Sequence, residues 1–363
     1  MAESEKKLIS AINEQPSPLN IMHVCGTHER TISKYGLRSV ISSDINLLSG
    51  PGCPVCITPE RDIDFVISVA KSGVSVASFG DMLKVAGSKG SLMDARSDGA
   101  DIHTVYSIDD AIKIAENCPD NELVFFGIGF ETTAPTTAAA ILRGLPENFS
   151  IFTSHKLIPP AMEHLTTSSD IDGFLAPGHV STIIGIEPYK PIVKKGFPVV
   201  VAGFEAVDVL MGVFMVQQQN KYGISEMENA YPRCVDNKGN TKAQEIMYEV
   251  FKKSDGFWRG FGTIKNSALT LKRKFRSVDA SFLHADIYDE IYTNSSPEET
   301  DHCMCADIIT ARARPDQCPY FAKKCTPSNP AGPCMVSIEG TCYNWYRYNS
   351  AGGDTNTRIF TGT

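Results

Sequence analysis

Short, nearly continuous apolar runs recur between Leu19 and Glu205, and each is followed by a polar or glycine-containing turn and then by a helix-like stretch. This alternation is typical of parallel strands that helices cover on both faces of a sheet. The predicted strands are 21–24, 45–48, 74–77, 123–128, 150–153, 173–176 and 198–202. The clearest predicted helices are 59–72, 107–116, 136–143 and 159–167. We therefore expect an α/β fold with parallel sheets in two lobes.

The pattern changes after Asp208. Residues 210–300 are predicted to be mainly helical, with a glycine-rich aromatic stretch at 256–262. From Thr300 onward the chain is rich in cysteine and proline and has little apolar periodicity, so a metal centre is the expected source of its order. The predicted domains are a first α/β lobe (1–122), a second α/β lobe (123–225) and a mainly helical, cysteine-rich domain (226–363).

A polar motif directly follows each of the seven predicted strands. These motifs are 25–29, 50–56, 79–81, 129–135, 154–156, 177–180 and 203–205. Because ligands bind outside the carboxyl ends of parallel strands, the motifs together predict one shared cleft. The candidate cleft residues, besides His28, are Glu29, Glu131, Thr132, His155, His179 and Glu205. For any single motif, a helix cap or a turn is the alternative interpretation.

Two of these motifs carry cysteine. In Cys25-Gly-Thr-His28 a thiolate and an imidazole lie three positions apart, which suits iron, zinc or a thiolate–imidazolium pair, and Glu29 could orient such a pair. Cys53-Pro-Val-Cys56 brings two sulfurs close enough to bridge or to share a metal, with proline stiffening the turn. Two inert loop thiols are the alternative for Cys53 and Cys56.

A third group of cysteines lies near the C-terminus and comprises Cys303, Cys305, Cys318, Cys325, Cys334 and Cys342. Structural zinc sites usually show two tight Cys-x2-4-Cys knuckles, and only Cys303 and Cys305 come close to one. Wider spacings beside prolines favour a thiolate-ligated iron–sulfur cluster. Zinc and unliganded thiols stay open as alternatives at this point.

Composition narrows the class of protein. The chain has 363 residues and a formal net charge of −8, which argues against a protein built mainly to bind nucleic acid. Residues 1–10 lack an apolar core of a signal peptide, and no apolar run has the length of a membrane span. Eleven cysteines without such a signal indicate a reducing compartment, so we expect a soluble, cytoplasmic protein.

Taken together, the motifs resemble one family, the HypD hydrogenase maturation factors. The resembling blocks, in family order, are MHVCGTHE (22–29), GPGCPVC (50–56), GFETTAP (129–135), PGHVSTIIG (177–185), VVAGFE (200–205) and the tail 318–348. The resemblance covers nearly the whole chain. It implies two similar α/β lobes that face a cleft, plus a smaller third domain that carries an iron–sulfur cluster.

The resemblance also implies roles for individual residues. The family's cluster pattern C-x12-C-x6-C-x16-C is reproduced by Cys305, Cys318, Cys325 and Cys342, which would hold a 4Fe-4S cluster and would leave Cys303 and Cys334 outside the ligand set. By the same resemblance Cys25 is the iron-binding thiolate with His28 beside it, and Cys53 and Cys56 are the redox-active pair. Two departures from the family pattern remove no ligand and bear on local geometry and on the fit of the partner. The usual Cys-Gly-Asp is 305–307 with Ala306, and the usual GFEPLD is 203–208 with Ala206 and Val207.

The function implied by the resemblance is that of a scaffold which, with its partner HypC, binds iron and assembles the Fe(CN)2CO unit of nickel–iron hydrogenases. HypE would deliver cyanide made from carbamoyl phosphate by HypF, and the hydrogenase large subunit would receive the iron unit. Such a protein is closer to an assembly chaperone than to a turnover enzyme. A free-standing iron–sulfur thiol–disulfide oxidoreductase is the alternative, and a zinc-organised interaction protein is a third.

Overall fold

A computed structural model of the chain describes residues 3–14, 17–167, 170–294 and 303–349. The strands are β1 (Leu19–His23), β2 (Ile45–Ser49), β3 (Ser75–Phe79), β4 (Ala86–Gly87), β5 (Gly90–Ser91), β6 (Ile102–Val105), β7 (Leu123–Gly129), β8 (Phe149–His155), β9 (Gly173–Pro177), β10 (Val199–Ala202), β11 (Met227–Asn229), β12 (Phe251–Trp258) and β13 (Gly262–Leu271). All seven strands expected from the apolar runs are present, with ends that shift by one or two residues.

The α-helices occupy most of the stretches between the strands. They are α1 (Glu3–Glu14), α2 (Gly26–Lys34), α3 (Leu37–Val40), α4 (Pro54–Ile57), α5 (Glu60–Lys71), α6 (Leu92–Ser97), α7 (Ile108–Asn117), α8 (Ala134–Arg143), α9 (Ile158–Leu165), α10 (Gly178–Ile184), α11 (Lys190–Lys194), α12 (Ala206–Tyr222), α13 (Thr241–Val250), α14 (Ala280–Leu283), α15 (Ala285–Asn294), α16 (Cys305–Ile309), α17 (Pro333–Val336) and α18 (Thr341–Asn349). Short 3₁₀ turns occur at Met82–Lys84, Glu187–Tyr189, Arg273–Val278 and Pro315–Gln317.

The described residues group into two compact units. Unit 1 takes its residues from 1–53, 158–241 and 302–363, and unit 2 takes its residues from 54–157 and 242–301. Each unit is thus assembled from stretches that are distant in sequence. The division into 1–122, 123–225 and 226–363 stays a prediction.

Unit 1 contains a parallel sheet with the spatial order β2-β1-β9-β10-β11. Because strands must be covered on both faces to bury such continuous apolar runs, helices pack on this sheet, with α12 against β9 and β10 and α1 against α12. The core between these layers includes Ile12, Ile21, Ile32, Leu175, Val200, Val209 and Val213. If these five strands are numbered by their order along the chain, their spatial order in the sheet is 2-1-3-4-5, which is a doubly wound arrangement.

Unit 2 contains a second parallel sheet with the order β6-β3-β7-β8. Its strands follow the order 2-1-3-4 along the chain, so the two sheets share one topology and the expectation of two similar α/β lobes is confirmed. The unit 2 core includes Ala77, Phe125, Ala138, Ile151, Met247, Phe251 and Leu269. Strand β7 is buried along its whole length, as expected for a central strand of a covered parallel sheet.

One stretch differs from the sequence-based expectation. Residues 210–300 were expected to be mainly helical, but β12 and β13 form a long antiparallel hairpin. Helix α13 ends at Val250, where the chain enters β12. The turn of the hairpin uses Gly260 and Gly262 at φ 80° and 76°, a conformation that glycine adopts without strain. The glycine-rich aromatic stretch was therefore a hairpin signal.

The cysteine-rich segment, which we define as residues 303–349, belongs to unit 1. Its last helix, α18, packs against α2, the helix that begins directly after Cys25. The side-chain oxygens of Ser49, at the end of β2, and Thr341, at the start of α18, are 2.6 Å apart and share a hydrogen bond. Throughout the described ranges, no helix combines the length and the apolar character that crossing a membrane requires.

Candidate functional site

The doubly wound order of unit 1 reverses direction between β1 and β9. At such a reversal the loops after the two strands diverge and leave a crevice at the carboxyl edge of the sheet, where ligands bind in this class of fold. The loop after β1 carries Cys25 and His28, and the chain after β9 carries Gly178 and His179. The topology therefore places the Cys-x-x-His motif at the position where a ligand site is expected.

Cys25 is a free, partly buried thiol held in a tightly packed loop. The backbone nitrogen of Gly26 donates a hydrogen bond to the carbonyl of Gly52 (3.3 Å). A Cβ atom at Gly52 would lie 2.2 Å from the Cys25 nitrogen, so only glycine permits this approach. Burial, together with the nearby Glu339 carboxylate, raises the pKa of the Cys25 thiol to about 11. The thiol is therefore protonated at neutral pH until a cation replaces the proton.

His28 lies one turn into the same motif and is fully buried. Its Nε2 atom is 3.2 Å from the carbonyl oxygen of Ala202 and 3.0 Å from that of Gly203. Because carbonyl oxygens only accept, Nε2 carries the proton and donates to them. Burial, and next the proximity of His23, lower the pKa of His28 to about 3, so the ring is neutral.

The other ring nitrogen of His28 has different surroundings. Its Nδ1 atom is buried and has no hydrogen-bond partner among the described residues. In the neutral tautomer fixed by the two carbonyls, Nδ1 carries a lone pair, and a carbonyl on the opposite nitrogen is the usual arrangement behind a histidine that binds a metal. The site thus offers a thiol sulfur and a bare imidazole nitrogen.

The sequence suggested that Glu29 orients the Cys25–His28 pair. In the structure its carboxylate is hydrogen-bonded to three other side chains. Its carboxylate accepts hydrogen bonds from His23 Nε2 (3.1 Å), Ser33 Oγ (2.7 Å) and both terminal nitrogens of Arg38 (2.8 Å each). Burial alone would raise the pKa of Glu29, but the charge of Arg38 and these hydrogen bonds hold it well below its usual range. Glu29 is therefore an ionised anchor for α2.

Cys53 and Cys56 are joined by a disulfide bond. Both are nearly fully buried, and the short helix α4 spans Cys56. Thr58 Oγ1 donates to the carbonyl of Pro54 (2.9 Å) and closes the turn that follows. The redox-active role of the pair stays a prediction.

The remaining unit 1 candidates lie at the ends of β9 and β10. The ring of His179 is exposed and stacks on Phe204, with ring centroids 3.9 Å apart, and Phe204 in turn lies 5.3 Å from the His28 ring. Glu205 is exposed and forms a capping box with Asp208 at the start of α12. His179 is thus near the Cys-x-x-His motif, whereas Glu205 has the helix-capping role that was its alternative interpretation.

The candidates of unit 2 lie at the carboxyl edge of its own sheet. Glu131 is buried and Thr132 is exposed just after β7. His155, at the end of β8, is fully buried, and its Nδ1 atom shares a hydrogen bond with Thr153 Oγ1 (2.7 Å). Burial, and next the charge of Lys156, lower the pKa of His155 to about 3. The expectation that the motifs of both lobes line one cleft stays a prediction.

Most thiols of the cysteine-rich segment are buried. Five of them, namely Cys305, Cys318, Cys325, Cys334 and Cys342, are at most 7 % exposed. The sulfurs of Cys303 and Cys305 are 3.2 Å apart, and the thiol of Cys305 also has hydrogen-bond contact with Cys334 and Cys342. No three His, Cys, Asp or Glu side chains within the described ranges form a group that could hold a single metal ion.

The chemistry of this group fits a thiolate-bound cluster. Backbone N–H groups point at two of the sulfurs, from Ala331 to Cys325 (3.3 Å) and from Cys342 to Cys334 (3.4 Å), and such donors tune the potentials of iron–sulfur clusters. The position of Cys334, in contact with two of the expected ligands, was not anticipated. The four-residue ligand set therefore stays a prediction.

Sequence reasoning missed two residues near the site. Arg38 pairs with Glu29, and Glu339 packs against Gly26, where an added Cβ would lie 2.4 Å from the Cβ of Glu339. Arg38 falls outside every motif, and Glu339 is more than three hundred positions from Cys25 along the chain. A single sequence carries no signal for contacts of this kind.

The chain is similar to known proteins over nearly its whole length. The profile of the HypD family, described as the Hydrogenase formation hypA family, matches residues 2–349. A putative hydrogenase expression/formation protein of Methanocaldococcus jannaschii is 44% identical over 351 residues, covering 94% of this chain and 96% of that protein.

Two bacterial relatives agree with this result. The hydrogenase maturation factor HypD2 of Bradyrhizobium diazoefficiens is 42% identical over 94% of this chain and 92% of its own length. The hydrogenase maturation factor HypD of Escherichia coli K12 is 38% identical over 95% of each chain. Because the family match spans nearly the whole chain and the relatives are 38–44% identical, the chain belongs to the HypD family of hydrogenase maturation factors.

Proposed function

We propose that this protein is the scaffold on which, together with HypC, iron is bound and the Fe(CN)2CO unit of a nickel–iron hydrogenase is assembled. The observation that carries the proposal is that one motif at the switch point of unit 1 holds both the free Cys25 thiol and a His28 ring whose Nδ1 atom has no hydrogen-bond partner among the described residues. Sulfur and imidazole donors suit a soft, low-spin iron better than oxygen donors do.

In this proposal the iron is cargo, and its binding depends on the protonation of both His28 and Cys25. The carbonyls of Ala202 and Gly203 keep the proton of His28 on Nε2, so Nδ1 is ready to bind without a tautomer change. The Cys25 thiol must lose its proton when iron binds, so binding is accompanied by proton release. Capture of iron is therefore expected to weaken as the pH falls.

Two redox groups complete the proposal. Cys305, Cys318, Cys325 and Cys342 would hold a 4Fe-4S cluster, which supplies one-electron chemistry when bound. Opening of the Cys53–Cys56 disulfide breaks one S–S bond and takes up two electrons and two protons. The dithiol would thereby donate or accept electrons beside the loop that carries Cys25, because Gly52 precedes Cys53 in the chain and packs against the Cys25 backbone.

The partners are part of the same proposal and rest on family membership. HypC would form a stable complex, HypE would deliver cyanide derived from HypF, and the hydrogenase large subunit would receive the finished unit. The expected compartment is the cytoplasm. The protein would act once per hydrogenase molecule, as an assembly factor rather than as a conventional enzyme.

The test compares two free cysteines. Ferrous ion is titrated anaerobically into the wild-type protein, Cys25→Ala and the control Cys118→Ala, whose thiol is exposed in unit 2. We expect Cys25→Ala to weaken binding by more than the ~100-fold loss caused by removing a residue that only orients a ligand. Cys118→Ala should bind like the wild type. Equal affinities in all three proteins would remove Cys25 from the iron site.

A second candidate is a free-standing thiol–disulfide oxidoreductase, which the Cys53–Cys56 disulfide favours. It requires repeated turnover on a dithiol substrate in protein without bound iron. Steady turnover that is lost in Cys56→Ser and unaffected by Cys25→Ala would favour this candidate over the scaffold.

A further inference from the structure

One guanidinium group joins three elements that surround the candidate iron site. Arg38 donates two hydrogen bonds to the Glu29 carboxylate of α2 and two more to the carbonyl of Leu47 in β2 (3.1 and 3.0 Å). Its carbon Cζ lies 5.3 Å from the ring centroid of Trp345 in α18. These hydrogen bonds use most of the N–H donors of the guanidinium. The aromatic ring on which the guanidinium stacks belongs to the cysteine-rich segment.

The same segment contacts the motif loops at two further points. Glu339 packs so closely on Gly26 that no side chain fits there, and Thr341 shares a hydrogen bond with Ser49 at the end of β2. Cys342 lies beside Thr341, and Trp345 follows three positions later on the same short helix. The part of the chain that would bind the cluster therefore covers the first turn of α2.

We propose that Arg38 is a positioning residue through which the cysteine-rich segment holds the Cys25–His28 turn in its metal-binding geometry. The inference rests on the proposed function of Cys25 and His28 and adds a structural task to the cluster segment, beyond carrying electrons. When the segment is ordered, Trp345 covers the guanidinium and Arg38 keeps Glu29 clamped.

The physical reason is the burial of Glu29. An ionised carboxylate that is 1 % exposed needs a fixed counter-charge, and the side chain of Arg38, at 24 % exposure, depends on neighbours for its own orientation. Arginine and not lysine suits this place, because a planar fork can bind one carboxylate and one carbonyl while stacking on an aromatic face. Loosening the fork frees α2 at the turn that contains His28.

The experiment uses two mild variants of the full chain. Arg38→Lys keeps the charge next to Glu29 and removes the fork, whereas Trp345→Leu keeps Arg38 and removes its stacking face. Arg30→Gln is the matched control, since Arg30 lies on the exposed side of the same helix. Hydrogen exchange of residues 22–30 and the affinity for ferrous ion are measured in each protein, with cluster absorbance recorded in the same samples.

We expect exchange in 22–30 to be about tenfold faster in Arg38→Lys, because hydrogen bonds between charged groups contribute more than neutral ones. Ferrous-ion affinity should fall by about tenfold to hundredfold, the usual effect of losing a group that orients a ligand. Trp345→Leu should change both readouts in the same direction by less, and Arg30→Gln should match the wild type. Cluster absorbance should be unchanged in Arg38→Lys.

The outcomes separate this inference from the proposed function. If Cys25→Ala loses iron while Arg38→Lys and Trp345→Leu match Arg30→Gln in exchange and affinity, the inference is wrong and the scaffold function stands. If Cys25→Ala binds iron like the wild type, the proposed function fails, and exchange in 22–30 alone decides whether Arg38 positions the turn.

Discussion

The carboxyl edges of the two parallel sheets share a topology and differ in how their polar groups are satisfied. In unit 1, the edge holds a free thiol at Cys25 and an unpartnered ring nitrogen at His28. In unit 2, Ser154 donates to Asp62 (2.5 Å), Tyr292 donates to the other oxygen of Asp62 (2.6 Å), and Lys156 donates to Ser154 (3.2 Å).

This difference shows that a polar motif after a strand is not in itself a binding site. Asp62, Ser154 and Lys156 are buried, and together with the half-buried Tyr292 they form one hydrogen-bond network, which stabilises unit 2. The lone pair on His28 Nδ1 has no such partner among the described residues, so its desolvation is uncompensated and a bound ligand would offset that cost. The same fold thus supports a structural network in one unit and a candidate metal site in the other.

The largest effect is expected from a substitution that breaks the hydrogen-bond network around Asp62 in unit 2. Asp62→Ala leaves two hydroxyl donors without their acceptor and removes the charge that opposes the desolvation of Lys156, whose pKa burial lowers. We expect a loss of about 3–5 kcal/mol in the free energy of unfolding, measured in urea. Asp109→Asn, which breaks an exposed pair with Arg143, should change it by less than about 1 kcal/mol. Similar small losses in both variants would show that the Asp62 network is not structural.

A smaller effect is expected from glycines at equivalent places in the two sheets. Gly26 follows β1 and Gly80 follows β3, the first strand of each sheet. In Gly26→Ala the new methyl group collides with Glu339, so we expect a loss of about 1–3 kcal/mol by thermal or urea unfolding. In Gly80→Ala the nearest atom lies at 3.4 Å, an ordinary contact, and stability should change by less than about 1 kcal/mol. Equal losses would contradict the close packing at Gly26.

The smallest effect is a pH dependence that the two units share. His28 and His155 have pKa values of about 3, well below the usual 6.5, because each is buried as the neutral ring. Below about pH 6.5 the unfolded chain therefore binds more protons than the folded one, and the free energy of unfolding falls by up to about 1.4 kcal/mol per pH unit for each histidine.

The measurement is the free energy of unfolding of iron-free protein between about pH 6.5 and about pH 5. His28→Gln and His155→Gln should each flatten this slope by a similar amount. His103→Gln, at a partly exposed position, is the control. A wild-type slope in all three variants would mean that neither buried ring resists protonation.

Sequence predicted the fold where apolar runs were continuous. Strands such as β7 are buried along their whole length, and their pattern has one interpretation. Strand β6 was not predicted, because Ile102-His-Thr-Val105 is an edge strand in which only the two end residues are buried. The hairpin of β12 and β13 was also missed, since its mixed pattern of burial resembles neither a covered strand nor a helix.

The candidate site was predictable as far as the strand-end rule reaches. Cys25 and His28 follow β1, and their motif alone pointed to metal chemistry. The contacts that distinguish the two edges were not predictable, because Asp62 meets Ser154 across 92 positions and Arg38 meets Trp345 across an even longer stretch. Such contacts depend on three-dimensional packing, which one sequence does not encode in a readable pattern.

Infrared spectroscopy tests the central claim most directly. The protein is produced together with HypC, the proposed partner, purified without oxygen, and examined in the region where cyanide and carbonyl ligands of iron absorb. We predict two cyanide bands and one carbonyl band in the wild type and none in Cys25→Ala. A wild-type sample with an intact cluster and no such bands, or bands that persist in Cys25→Ala, would contradict the assignment of this site.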